Sequence, residues 1–369
     1  MERFVHCKEY DSSRVIGGSV KYAELLENGL KNNGNQVISY YRSSIYAGRV
    51  HSKESGYLNT MQGICRLVLG VIKTWFQSEP KVWIVHHPVM GSISLLARRK
   101  KLIYICHGPW AGEALDISRQ GISNKAINRA RRLIQSILVQ QSDVVFFLSE
   151  YMKARIKTDL KIEMHNFVKY RLIPPIAEIS SKQPGSVDKN EYRTIQNQIY
   201  ICRRLVRRTG VYDFLERLAI SEYRKTFRII ITGDGPERES IEQLIFRHKL
   251  RNVKMDGFVD EKKHRINYLT SEYMLLPSLA NEGFGLVIIE AILNDCIPIV
   301  SINAGGGAEW MKRTCENLVY DGSIEGMVES ISYASNNKAE VLKRLREKVK
   351  NLTKEHAADV IETVSRVLI

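Results

Sequence analysis

Two glutamates, Glu282 and Glu290, stand eight residues apart in the segment Glu-Gly-Phe-Gly-Leu-Val-Ile-Ile-Glu. Gly283 and Gly285 carry no Cβ, so the backbone there can approach a ligand closely. A helix is expected to begin near Leu286. Its free N–H groups and positive dipole end suit a phosphate. Glu290, about a turn into that helix, offers two acceptor oxygens to a diol such as a ribose. Glu282, on the loop, is placed to meet a group being transferred. A bare Gly-x-Gly flanked by solvated glutamates is an ordinary turn. Pro277-Ser278 before the segment and Pro298 after it make this one more specific.

A basic run, Arg203-Arg204-Leu205-Val206-Arg207-Arg208-Thr209-Gly210, follows an apolar strand. Cations held there would stabilise the negative charge of a departing diphosphate. Alone, the run reads as a solvated turn; beside the glutamate segment it reads as part of one site. Gly233-Asp234-Gly235-Pro236 is expected to be a strand-to-helix turn with Pro236 at the first helical position and no ligand contact. His107 stands at a strand end facing the expected cleft. Gly17-Gly18, before the first helix, could bring main-chain amides near a phosphate, although Gly-Gly alone is a weak signal. His86-His87 resembles a metal pair only superficially. Adjacent side chains diverge on a strand, and no thiol or carboxylate cluster supports them.

The elements that position these residues alternate. Strands are expected at Phe4 to Cys7, Gln36 to Tyr41, Val82 to Val85, Leu102 to Cys106 and Val144 to Leu148, with helices between them, including 122–141. Residues 174–196 form a polar, Pro/Gly/Ser-rich linker. The alternation then restarts, with strands near 198–202, 227–231, 252–255, 273–276 and 297–301 and helices at 211–220 and 236–248. This predicts an α/β chain of two Rossmann-like doubly wound domains facing across a cleft. The N-terminal domain covers 1–173 and the C-terminal domain 197–350. Residues 351–369 form a last helix that packs back on the N-terminal domain.

The 369 residues suit two cores. Net charge is +15, and its placement is uneven. Residues 1–175 hold 26 Lys+Arg against 13 Asp+Glu, while the remainder hold 29 against 27. A basic N-terminal half favours an anionic partner. Arg98-Arg99-Lys100-Lys101 and Arg129-Arg131-Arg132 are its basic clusters. The stretch 61–76 is an amphipathic helix with Trp75 and Phe76 near one end. Burial of its stripe in the core is the favoured reading; docking on anionic lipid is the rival. No basic stretch carries the interleaved aromatics of a nucleic-acid module, so no nucleic-acid partner is expected. The six cysteines form no CxxC pair and read as free thiols. The N-terminal residues lack the layout of a signal peptide. The expected address is the cytoplasm, extending to the inner face of the cytoplasmic membrane.

The segment Glu282–Glu290 resembles the E-x7-E motif of the family-4 retaining glycosyltransferases, which have the GT-B fold. Other landmarks follow in order along nearly the whole chain: Gly17-Gly18, His107, Ser149-Glu150-Tyr151, Leu172-Ile173-Pro174, Arg204-Leu205-Val206, Gly233-Asp234-Gly235-Pro236, Gly257-Phe258-Val259 and Gly305-Gly306. The resemblance implies a nucleotide-sugar donor, UDP- or GDP-linked, with no metal or cofactor. It implies that Glu282 contacts the transferred sugar, Glu290 the ribose and Arg204 the diphosphate. His107 would meet a sugar hydroxyl, Phe258-Val259 would lie beside the base, and Gly283, Phe284, Gly285 and Leu286 would line the phosphates. Gly17 and Gly18 would lie near the donor phosphate.

This chain departs from the pattern at three positions. Thr209 stands where the family has lysine, leaving Arg207 or Arg208 to compensate. Arg203 and Asp295 each stand where the family has glycine, and neither change is expected to remove a ligand contact. The implied activity is retaining transfer of a sugar to a hydroxyl acceptor, in cell-surface glycan, lipopolysaccharide or glycolipid synthesis. A non-catalytic nucleotide-sugar-binding relative and a sugar-nucleotide epimerase of the same fold are the alternatives.

Overall fold

The computed structural model describes residues 3–10, 18–32, 34–43, 53–76, 81–111, 122–162, 170–172, 191–280 and 282–350. Gly17, residues 174–190 of the linker and the expected helix 351–369 lie outside the described residues. The chain divides into two compact units, Met1–Ala177 with Thr353–Ile369, and Glu178–Leu352.

The first unit is built on a parallel sheet of six strands: β1 (Arg3–Tyr10), β2 (Gln36–Ser43), β3 (Lys81–Val85), β4 (Arg99–Cys106), β5 (Val144–Phe147) and β6 (Tyr170–Leu172). They lie in the order β2-β1-β3-β4-β5-β6. Alternate residues of each strand point to opposite faces, and both faces are apolar, as a parallel sheet covered by helices requires. Val5, Trp83, Val85, Tyr104 and Phe147 pack on one side with Met90 and Leu138. Phe4, Ile84, Ile105 and Phe146 pack on the other against Tyr22, Leu26 and Leu30 of helix α1 (Gly18–Asn32). Each such side chain, fully buried, contributes roughly 1.5–3 kcal/mol.

Helix α2 (Lys53–Thr74) departs in part from the reading favoured for 61–76. It buries Leu67 and Val71 but leaves Val68, Leu69 and Ile72 exposed, with Trp75 and Phe76 just beyond its end. Two apolar stripes run along this helix, and only one meets the core. The helix expected at 122–141 is present as α4 (Ile122–Gln141); a short helix, α3 (Pro88–Ser94), precedes β4. Ser149 caps helix α5 (Glu150–Leu160) by accepting from the Met152 N–H at 3.1 Å.

The second unit repeats the architecture with β7 (Ile195–Cys202), β8 (Arg228–Thr232), β9 (Val253–Gly257), β10 (Ser271–Leu276), β11 (Ile297–Ser301) and β12 (Val319–Tyr320). The parallel order is β12-β11-β10-β7-β8-β9, so direction of growth reverses between β7 and β10. Its helices include α6 (Val211–Ile220), α7 (Arg238–Arg247), α8 (Glu261–Thr270), α9 (Leu286–Leu293), α10 (Gly306–Cys315) and α11 (Ile324–Asn336). Pro236 is not the first helical residue. The Glu237 N–H donates to the Leu205 carbonyl at 3.0 Å, which holds 236–237 in a turn and delays α7 to Arg238. Asp295 has φ of 63°, a left-handed conformation that explains why glycine suits that position. Aspartate tolerates it, and Arg346 bonds its carboxylate at 2.8 Å.

The glycines of 233–235 hold two loops together. A Cβ on Gly233, at φ +124°, would lie 1.8 Å from the Arg203 carbonyl oxygen, and one on Gly235 would lie 2.3 Å from that of Leu205. Gly233→Ala therefore meets both backbone strain and a backbone clash, expected to cost about 2–4 kcal/mol. Thermal unfolding of the purified variant should show a Tm several degrees below the parent; an unchanged Tm would contradict the close approach.

Candidate active site

The loops that leave β7 and β10 at their carboxyl ends meet where strand order reverses, the place at which open α/β sheets bind ligands. Gly210, at φ +71°, makes this meeting close. A Cβ there would lie 2.1 Å from the Pro277 carbonyl oxygen. The Leu279 N–H donates to the Arg208 carbonyl at 2.8 Å, and the Gly306 N–H to the Glu282 carbonyl at 3.0 Å. Three loops are thus laced by their main chains.

Glu282 forms an ion pair with Arg203, whose guanidinium also donates to the buried Ser278 hydroxyl at 3.2 Å. The Arg203 side chain is 9% exposed and that of Glu282 14%. Removing one partner of such an enclosed pair typically costs about 3–5 kcal/mol, because the other charge is left stranded. The arginine in place of a family glycine therefore engages the first glutamate of the motif directly, which sequence reasoning did not foresee. Its Nε is buried with no partner among the described residues.

Arg204 is exposed at the same strand end. Arg207 pairs with Asp213 at 2.8 Å and approaches Glu237 at 4.0 Å, so its charge is countered on the outer side of the turn. Thr209 is buried, and its hydroxyl lies within 2.8 Å of the Arg204 carbonyl and 2.7 Å of the Val206 carbonyl. That hydroxyl shapes the turn. Arg208 is partly buried beside it.

Helix α9 starts at Leu286 behind Gly285, which has φ of 82°, and no side chain caps it. Its first amides remain oriented toward whatever lies before Gly285. Gly283 is partly buried. Phe284 is buried and packs edge-on against Trp310 at 5.7 Å, so its ring belongs to the core and its main chain to the loop. Phe258 follows β9 and is 63% exposed, with Val259 next to it.

Glu290 sits in a polar cluster. His264 donates from Nε2 to Glu290 Oε2 at 3.2 Å, and the Tyr268 hydroxyl donates to the same oxygen at 3.3 Å. His264 Nδ1 lies 2.7 Å from the Tyr200 hydroxyl, which is 2.6 Å from Thr232 Oγ1. Burial opposes a charge on His264, but the Cys202 thiol beside it, 3.9 Å away, and the Glu290 carboxylate together push its pKa up to about 10. Burial likewise raises Cys202, and the hydrogen bond and charge of His264 outweigh it and lower that thiol. None of His264, Tyr268, Tyr200 or Cys202 was singled out in the sequence as a site residue. The available signal was His264 on α8, the element before β10 whose end carries the glutamate loop.

In the first unit, His107 follows β4 and its Nε2 lies 2.8 Å from His86 Nδ1. His86 and His87 diverge. His87 turns to cap α3, accepting from the Val89 N–H at 3.2 Å. Gly18 begins α1.

His264 gives a pH test. Its folded pKa, about 10, lies above the ordinary 6.5. The stability it contributes is complete below the ordinary value and is lost as pH rises through about 10. Tm measured between pH 6.5 and 10 should fall more steeply for the parent than for His264→Gln, which cannot charge. Parallel slopes would show that His264 is not protonated in the folded protein.

The comparisons with known proteins bear on both units. Residues 16–175 match glycosyltransferase family 4, and residues 185–352 match glycosyl transferases group 1. A 2-deoxystreptamine N-acetyl-D-glucosaminyltransferase of Niallia circulans is 33% identical over 104 residues, 28% of this chain and 26% of the relative. A GDP-mannose-dependent alpha-(1-6)-phosphatidylinositol monomannoside mannosyltransferase of Mycobacterium tuberculosis is 23% identical over 205 residues, 52% of each chain. The matches thus span about a quarter and about half of these relatives.

Among solved structures, sucrose-phosphate synthase from Thermosynechococcus elongatus superposes with a TM-score of 0.71 at 17% identity, covering 100% of this chain and 99% of that one. WaaG, a glycosyltransferase involved in lipopolysaccharide biosynthesis, gives 0.69 at 14%, covering 98% and 99%. Anabaena HepE in complex with UDP gives 0.63 at 14%, covering 100% and 99%. With the two successive family matches, the two doubly wound sheets and the loops laced around Glu282 and Glu290, the chain belongs to the group 1 glycosyltransferases of the GT-B fold.

Proposed function

We propose that the protein transfers a sugar from a nucleotide-sugar donor to a hydroxyl acceptor with retention of anomeric configuration. The observation that carries this reading is the Arg203–Glu282 pair directly before the uncapped start of α9, at the strand-order reversal where Arg204 is exposed. Arg204 and the α9 amides bind the diphosphate. Arg203 holds Glu282 beside that site through their ion pair. Glu290, its Oε2 held by His264 and Tyr268, receives the ribose hydroxyls. Glu282, balanced by Arg203, orients the transferred sugar.

The bond from the anomeric carbon to the diphosphate breaks as the acceptor oxygen attacks the same face. The leaving diphosphate takes the acceptor's proton. The protein's main contribution is fixed positive potential around the leaving group, and deleting one such contact commonly costs about 10²–10³ in rate. No metal enters this scheme. UDP- and GDP-sugars are the donors to be tried first.

Arg204→Ala and Glu282→Ala should each lower kcat by roughly two to three orders of magnitude; Arg204→Ala should leave the Tm close to the parent's, whereas Glu282→Ala, which strands the Arg203 charge, should lower it. Release of nucleoside diphosphate with acceptor present, and the anomeric configuration of the product by NMR, are the measurements. Near-parental turnover in both variants, or an inverted product, would sink the assignment. Diphosphate binding without transfer to any hydroxyl acceptor would favour a non-catalytic binder.

We further propose that the first unit docks on an anionic membrane surface, where a lipid-linked acceptor for glycolipid or lipopolysaccharide synthesis would lie. Support comes from the exposed stripe of Val68, Leu69, Ile72, Trp75 and Phe76, with the exposed Leu96 beside it. The Trp75 indole N–H donates to the Leu96 carbonyl at 3.2 Å, joining the two segments. Exposed Arg66, Lys73 and Arg98 flank the stripe. Apolar side chains below a basic rim suit an anionic interface. No helix among the described residues is long and apolar enough to cross a membrane. The parent should co-sediment with phosphatidylglycerol vesicles at low salt and lose binding in Trp75→Ser/Phe76→Ser; absence of binding by the parent refutes the surface.

A further inference from the structure

The first unit contains a line of polar side chains, largely buried, that ends at His107. His6 lies in β1, His86 follows β3 and His107 follows β4. They continue one face of the sheet: Phe4 and His6, Ile84 and His86, Ile105 and His107 alternate along their strands. The apolar rows of that face end in imidazoles. His6 Nε2 is 2.7 Å from His86 Nε2, and His86 Nδ1 is 2.8 Å from His107 Nε2. At the other end, His6 Nδ1 is 3.4 Å from Glu27 Oε2. Glu27, on α1, also accepts from Lys31 Nζ at 2.6 Å and from the Ser39 hydroxyl at 2.8 Å. Tyr22 packs edge-on against His107 at 5.7 Å and against His86 at 6.3 Å.

We propose that Glu27, His6 and His86 are positioning residues that hold His107 as a neutral imidazole with Nε2–H turned inward and a bare Nδ1 offered to a hydroxyl of the bound sugar. The carboxylate sets the direction. An ionised Glu27 only accepts, so His6 Nδ1 carries the proton and His6 Nε2 does not. His86 Nε2 must then donate to His6, which leaves His86 Nδ1 as an acceptor. His107 Nε2 must donate to it, which leaves His107 Nδ1 as an acceptor. One carboxylate thus fixes three tautomers in series, as an outer partner fixes the ring of a ligating histidine.

Burial acts in the same sense. It lowers the His107 pKa to about 4, so the ring is uncharged at neutral pH. The Tyr22 hydroxyl is buried beside the ring with no partner among the described residues. Among the described residues, Lys31, Ser39 and Tyr22 lie against the chain. The alternative is three histidines that merely fill the face between α1 and the sheet, in which case no single tautomer of His107 is required.

This inference rests on the transferase reading and on the role at a sugar hydroxyl that the resemblance implies for His107, but its test does not. The full chain labelled with 15N in its histidine rings is examined by long-range 1H–15N correlation at pH 7, with His107→Gln assigning the His107 signals. The expected spectrum shows His107 neutral and protonated on Nε2. A charged ring, or a proton on Nδ1, overturns the proposal.

Glu27→Gln should then mix the His107 tautomers and lower kcat/KM by about 10–100-fold, the usual effect of losing such an outer partner. Parental kcat/KM with mixed tautomers would overturn the positioning role. A parent protein with no transferase activity would refute the proposed function, while its His107 spectrum would still decide the chain.

Discussion

The ion pair between Arg203 and Glu282 depends on two peptide segments lying closer than most residues permit. Pro277 places its carbonyl where a Cβ on residue 210 would stand, and Arg203 places its own where a Cβ on residue 233 would stand. With glycine at both positions, the loops after β7, β8 and β10 interlock through main-chain bonds, and Arg203 falls within reach of Ser278 and Glu282. A charged pair this enclosed adds little net stability. Its effect is on position: it holds the Glu282 carboxylate in one place and keeps its charge balanced. The Gly306 N–H on the Glu282 carbonyl fixes the backbone of the same residue. The open start of α9 follows from that fixed loop.

Both units place their polar side chains at the reversal of strand order, yet they build them differently. In the second unit the polar atoms are on loops beyond the strand ends, supported from behind by His264, Tyr268 and Tyr200. In the first unit they continue the rows of one sheet face at and just beyond the strand ends, where imidazoles replace the apolar side chains that precede them. A parallel sheet covered on both faces offers no water to such groups. They must therefore satisfy one another, and the chain from Glu27 to His107 does so. The cost of burying polar groups is the physical reason that these hydrogen bonds form a continuous line.

Much of the fold was legible in the residues. Apolar runs of four to eight residues separated by helical periodicity place nearly every strand, because a doubly covered parallel sheet requires that pattern. The helix over 122–141 and the start of α9 behind Gly285 were readable for the same reason. Pro236 misled by two residues, because the Leu205 carbonyl, far along the chain, captures the Glu237 amide. The helix over 61–76 was readable as amphipathic, but not which of its apolar stripes would meet the core. That depends on what packs against it, and Val68, Leu69 and Ile72 are left outside.

The sequence alone determined the alternating architecture, the glycine-rich loops and the identity of the two glutamates, since these rest on local spacing and on what a residue lacks. The tertiary structure decided which charges meet. Arg203 reaches Glu282 across 79 residues, and His6 reaches His86 across 80. Nothing in their local spacing announces either contact, since the register of parallel strands joined by helices sets both. The glutamates that were visible as a motif therefore acquire their partners, Arg203 for Glu282 and His264 with Tyr268 for Glu290, only when the sheet is assembled.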